Sequence, residues 1–155
     1  MIKGLFETHL YVEDLDRSIQ FYSEVIGLEQ CHYDERRAAF FWIGEAKQQM
    51  LGIWEKPKAE IDIRHFAFEC EPEWIINESI DWLKERKLPF RNFLKDGTER
   101  PMVFAWTPAI SIYFDDPDGH SLEFIGVLKG KSRPKGGVIS YENWLALEEK
   151  EETKD

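Results

Sequence analysis

Cysteine is scarce in this chain: Cys31 and Cys70 are the only two in 155 residues. They form no CxxC pair, and two are too few for a disulfide scaffold. Basic residues are also in deficit, with 20 Lys and Arg against 30 Asp and Glu and a formal charge of −10. Nucleic acid and anionic membranes both require a basic surface, so neither is an expected partner. Much of the acidic excess lies in the terminal run "EEKEETKD", which reads as a solvated end. Long apolar runs are missing too. No segment approaches membrane-spanning length, and "MIKGLFETHL" lacks the apolar core of a signal peptide, so a cytoplasmic location is the expectation.

The chain is rich in core-forming residues, 43% hydrophobic and 14% aromatic, which suits one compact domain or two small fused modules. It contains an internal repeat. "ETHLYVED" (7–14) and "IRHFAFEC" (63–70) each place a histidine at the same point of an alternating stretch. His9 and Tyr11 share one strand face, with Leu10 and Val12 on the other. His65 and Ala67 share one face, with Phe66 and Phe68 on the other.

Each stretch is followed by a predicted helix. In the first, Asp14 is the N-cap, Leu15, Ile19, Tyr22 and Ile26 form an apolar stripe, and Gly27 is the stop. In the second, Pro72 fits the first turn, and Ile76, Ile80 and Leu83 follow at helical spacing. Residues 40–55 and 111–126 then match as strand, turn, strand, the second around the strong turn "DPDG". "LEQCHYD" and "LPFRNFL" supply one more strand per unit. The expected fold is α+β: two tandem βαβββ modules, about 5–55 and 62–126, forming one domain over 1–126. Their mixed, largely antiparallel sheet curls around a site, and helices cover the other face. Residues 127–155 form a C-terminal extension, partly helical, with a charged tail.

Within "HSLEFIG", Leu122 and Phe124 face the helices, which places Glu123 on the same side as His65. A carboxylate buried there without a partner would be costly. Two imidazoles and one carboxylate form a common ligand set for a divalent first-row ion, so His9, His65 and Glu123 are the candidate ligands. The ion would be Zn, Mn, Fe, Ni or Co. Tyr11, Met50 and Trp54 share the inward parity, and Trp42 and Phe40 continue it, giving a candidate substrate pocket. No catalytic acid or base can be named. Residues 95–110 are expected to form a short hairpin or a lid. His120, in the turn "PDGH", is expected to be exposed, and His32 has no assigned role.

The segments "THLYVEDLDRSIQFYSEVIGLE", "RHFAFEC" and "FDDPDGHSLEFIG" resemble the signature segments of the vicinal oxygen chelate superfamily. That superfamily includes glyoxalase I, fosfomycin-modifying thiol transferases, extradiol dioxygenases and bleomycin-binding proteins. The resemblance implies a glyoxalase-like domain, a homodimer, and ligands at the positions of His9, His65 and Glu123. The metal would act as a Lewis acid on a small substrate with neighbouring oxygens. Where the glyoxalase I branch has a fourth, glutamate ligand, this chain has Gly52 in "QQMLGIWE", and standard glyoxalase chemistry is not expected. The three-ligand thiol transferases are closer, although Tyr11 stands where they typically have a threonine. Two classes of function follow: a metal-dependent enzyme of the glyoxalase or thiol-transferase type, or a metal-free small-molecule clamp of the bleomycin-resistance type.

Overall fold

The computed structural model describes residues 1–153, apart from the side chain of Glu152; Lys154 and Asp155 of the expected tail lie outside the described residues. The chain divides into two compact units, residues 1–64 with 116–120, and residues 65–115 with 121 onward.

The first unit contains β1 (Glu7–Val12), α1 (Leu15–Gln20), a π-helical turn (Phe21–Val25), β2 (Glu29–Asp34), β3 (Ala38–Ile43) and β4 (Gln49–Glu55). Its sheet runs β1-β4-β3-β2, with β1 parallel to β4 and the other pairs antiparallel. Alternation sorts the faces: Leu10, Val12, Ala39, Phe41, Leu51 and Ile53 form one buried layer. Asp14 caps α1 by accepting the Arg17 N–H at 3.0 Å. The apolar stripe departs from simple helical spacing. After Gln20 the helix widens, with the Ile26 N–H donating to Phe21 O at 3.0 Å. That turn buries Phe21 and Tyr22 and leaves Ile26 half-buried.

Glu55, at the end of β4, accepts the Leu15 N–H and pairs with Arg37 at 2.7 Å. Hydrogen bonds from Arg37, then from Leu15, hold its carboxyl down to about 2. A depressed carboxyl contributes stability that is complete above its ordinary range and is lost as pH falls through the folded value. The expected result is a decline in stability from about pH 4.5 towards pH 2 that is shallower in Glu55→Gln, read by urea melts across that range.

The turn Asp116–His120 belongs to this first unit and overturns one expectation. His120 is fully buried rather than exposed. The Arg64 N–H donates to its Nδ1 at 3.0 Å, so the ring proton sits on Nε2, which donates to Tyr11 O at 2.8 Å. Asp116, also buried, accepts from the Asp118 and His120 amides and from Tyr22 Oη. Asp118 accepts from the Glu13 amide and Arg17. A strong turn signal says that the chain reverses, not whether solvent reaches it.

The second unit contains β5 (His65–Glu69), α2 (Pro72–Asn77), α3 (Ser79–Glu85), β6 (Phe90–Arg91), β7 (Met102–Phe104), β8 (Ala109–Asp115), β9 (Ser121–Val127), β10 (Val138–Ser140) and α4 (Tyr141–Glu152). Its sheet runs β10-β7-β8-β9-β5, with β5 parallel to β9. The expected single helix is broken at Glu78 (φ −129°), and the buried stripe is Ile75, Ser79 and Leu83, with Ile76 and Ile80 beside it. "LPFRNFL" is a strand for two residues only. β6 pairs with β8 at Phe90–Phe114 and Arg91–Tyr113, and β7 resumes the same edge at Met102–Ser111. Residues 92–101 are therefore an excursion from one interrupted strand. β7 and β8 form the expected short hairpin. In the extension, Ser140 caps α4, whose Trp144 is buried beneath the Arg133 guanidinium. Among the described residues, no helix is long and apolar enough to cross a membrane.

Candidate metal and substrate site

The second unit places two of the three expected ligands together. On parallel β5 and β9, His65 lies opposite Ser121 and Ala67 opposite Glu123. The His65 and Glu123 side chains meet with Nε2 and Oε2 3.2 Å apart. His65 Nδ1 is 2.9 Å from Ser121 O. A carbonyl has no proton to offer, so Nδ1 carries one, and in the neutral ring Nε2 presents a bare lone pair to a carboxylate oxygen. Glu123 is 3% exposed, and its Oε1 has no hydrogen-bond partner.

Two lone-pair carriers at this separation repel unless a cation lies against them. Metal–ligand bonds of about 2.0–2.2 Å put neighbouring donors roughly 3 Å apart, so the pair fits a divalent ion. The Ser121 carbonyl is the outer partner that fixes the ring in its ligating tautomer. A doubly protonated His65 would instead make an ion pair with Glu123 at the same distance.

Tyr113 stands opposite Glu123 across β8 and β9, its ring centroid 5.6 Å from that of His65. Burial, then the Glu123 charge, raises its phenol well above the usual range, so at neutral pH it is a hydrogen-bond donor. Beside it lies a cavity of about 290 Å³ lined by His65, Arg91, Phe93, Lys95, Tyr113 and Ser121. None of the lining residues other than His65 was singled out in the sequence. Tyr113 had a usable signal, because alternation through "SIYFD" puts Ser111 and Tyr113 on the Glu123 face. Phe93 and Lys95 had none, since the excursion that carries them has no periodicity.

The first unit holds the remaining candidates on the exposed face of its sheet. His9 is flanked by Trp54, whose Nε1–H donates to His9 Nδ1 at 3.1 Å, and by Glu7 Oε2, 3.3 Å from Nε2. With Nδ1 accepting, the neutral His9 ring keeps its proton on Nε2, so His65 presents a free lone pair and His9 does not. Gly52 is the register partner of both His9 and Phe40. A Cβ built on it would lie 3.0 Å from His9 Cδ2 and Nε2 and from Phe40 Cε1. Gly52 therefore faces the candidate ligand, and a side chain there would require the His9 and Phe40 rings to give by a few tenths of an ångström. Glu55 is turned away towards Arg37. Tyr11, Trp42, Met50 and Trp54 lie on the His9 face, and Tyr11 is 44% exposed. Among the described residues, no three His, Cys, Asp or Glu side chains gather closely enough to hold an ion.

Comparison with known proteins accounts for the repeated architecture. Residues 4–124 match the family described as Glyoxalase/Bleomycin resistance protein/Dioxygenase superfamily. The chain belongs to that superfamily. It is 35% identical over 127 residues to the metallothiol transferase FosB of Staphylococcus epidermidis, covering 77% of this chain and 80% of that protein. It is 27% identical over 158 residues to the glutathione transferase FosA of Serratia marcescens, covering 90% and 96% respectively. Among solved structures, the integron cassette protein HFX_CASS4 from the mobile metagenome of a Halifax Harbour sewage outfall superposes with a TM-score of 0.70 at 33% identity, covering 81% of this chain and 100% of that one.

Proposed function

We propose that this member of the superfamily is a divalent-metal-dependent transferase that joins a small thiol to a substrate bearing neighbouring oxygens. The observation that carries the reading is the His65–Glu123 pair, an imidazole nitrogen 3.2 Å from a buried carboxylate that has one oxygen without a partner. A metal-free clamp would have no use for that arrangement. The names of the curated relatives, metallothiol transferase and glutathione transferase, support an enzyme and the transfer of a thiol. Gly52 argues against the four-ligand lyase branch.

His65 and Glu123 would supply two ligands. His9 would supply the third by exchanging its Trp54 hydrogen bond for the ion. The ion, one of Zn, Mn, Fe(II), Ni or Co, would act as a Lewis acid on the substrate oxygens. Tyr113 would donate a hydrogen bond to an oxygen held there, and Tyr11, Trp42, Met50, Gly52 and Trp54 would line the substrate side of His9.

The assembly proposed is a homodimer in which His9 of one chain completes the His65–Glu123 pair of the other. The test mixes His9→Ala protein with His65→Ala protein under conditions of proven subunit exchange. One of the two sites in each mixed dimer escapes both changes, so recovery of about half a metal per chain in mixed dimers is expected. No recovery would leave each chain closing on its own ion.

A further inference from the structure

We infer that the excursion 92–101 is the specificity element of this site, and that it selects a substrate carrying an aromatic ring beside its oxygen-bearing acid group. This rests on the proposed function only for where the acid group lies. The strand formed by β6 and β7 is interrupted at the point where β8 presents Tyr113 and Ser111 to the sheet face of Glu123. The interruption brings Phe93 and Lys95 to the cavity shared with His65 and Tyr113.

Phe93 leans edge-on against Phe104 at 5.2 Å and stands 6.4 Å from the Tyr113 ring. Phe104 in turn stacks on Trp106 at 4.8 Å. These contacts hold Phe93 from one side only, and it remains 51% exposed. A half-exposed phenyl ring at the edge of a cavity, braced from one side by Phe104 and Tyr113, offers its open side to a substrate ring. The charges on the wall are not equivalent. Arg91 is already engaged by Asp115 at 2.9 and 3.0 Å and by Ser121, whereas Lys95 lines the cavity on a backbone turned to φ 51°. An acid group lying between Lys95 and the His65–Glu123 corner would leave its ring against Phe93.

Mandelate and lactate share the same hydroxy-acid head and differ only in phenyl against methyl. Both are titrated calorimetrically into the full chain, with and without Mn²⁺, and Mn²⁺ binding itself is followed by electron paramagnetic resonance. Mandelate is expected to bind about 10-fold more tightly than lactate, the scale of one aromatic contact plus the added apolar burial. Phe93→Ala, a change at a half-exposed position that spares the core, should reduce the ratio to about 2 or less. Lys95→Gln should weaken both acids alike and keep the ratio. Equal binding of the two acids, binding of neither, or a ratio unchanged in Phe93→Ala overturns the inference. If Mn²⁺ fails to bind while the mandelate preference and its Phe93 dependence persist, the metal assignment falls and the aromatic subsite stands.

Discussion

His65→Ala protein, prepared and metal-loaded alongside the parent, is expected to retain less than about a tenth of the parent's bound ion, with affinity lower by on the order of 100-fold or more. The expectation follows from what the imidazole does in place. It offers a bare Nε2 lone pair 3.2 Å from Glu123 Oε2, in a tautomer set by the Ser121 carbonyl. Alanine removes that donor and leaves a carboxylate that is 3% exposed with still fewer partners. The fold should survive, because the His65 side chain is about half exposed and its strand is anchored by Phe68 on the opposite face. Elemental analysis together with circular dichroism checks both halves. A folded His65→Ala protein that binds the ion as well as the parent would place the site elsewhere. Glu123→Gln should weaken the ion comparably while retaining shape, since it exchanges a charged donor for a neutral one.

Replacing His120 by leucine is expected to destabilise the protein by about 2–4 kcal/mol, the scale set by leaving a backbone N–H and a backbone carbonyl without partners. The two groups are Arg64 N–H and Tyr11 O, both satisfied by the one imidazole. For a chain of this size the loss corresponds to a fall in Tm of roughly 5–15 °C. An exposed turn histidine would move stability by no more than about 0.5 kcal/mol, so the measurement separates the two placements cleanly. Leucine is the informative replacement because it fills similar volume and isolates the hydrogen bonds from packing. Denaturant melts that show unchanged slope and a lower midpoint are the expected signature. A midpoint within error of the parent would return His120 to the surface.

The amino-acid sequence by itself determined the repeated βαβββ order, and with it the strand faces that carry His9, His65 and Glu123. A strand repeats every two residues, so a face can be read by counting, and a second copy of the pattern checks the count. The Asp14 cap and the Gly52 position were legible for the same reason, because both depend on local spacing. Spacing does not carry across an irregularity. The π-helical turn shifts the first helix's buried face towards Phe21 and Tyr22, and the break at Glu78 moves the second to Ile75, Ser79 and Leu83. Only the tertiary structure decided which nitrogen of His65 and of His9 carries the proton, because that depends on a carbonyl from Ser121 for His65 and an indole from Trp54 for His9. It alone decided that the turn histidine is buried, through hydrogen bonds to residues 56 and 109 positions away. The cavity beside His65 was likewise beyond reach, since Phe93 and Lys95 arrive there on an excursion whose path is set by pairing on β8 and not by any pattern of its own.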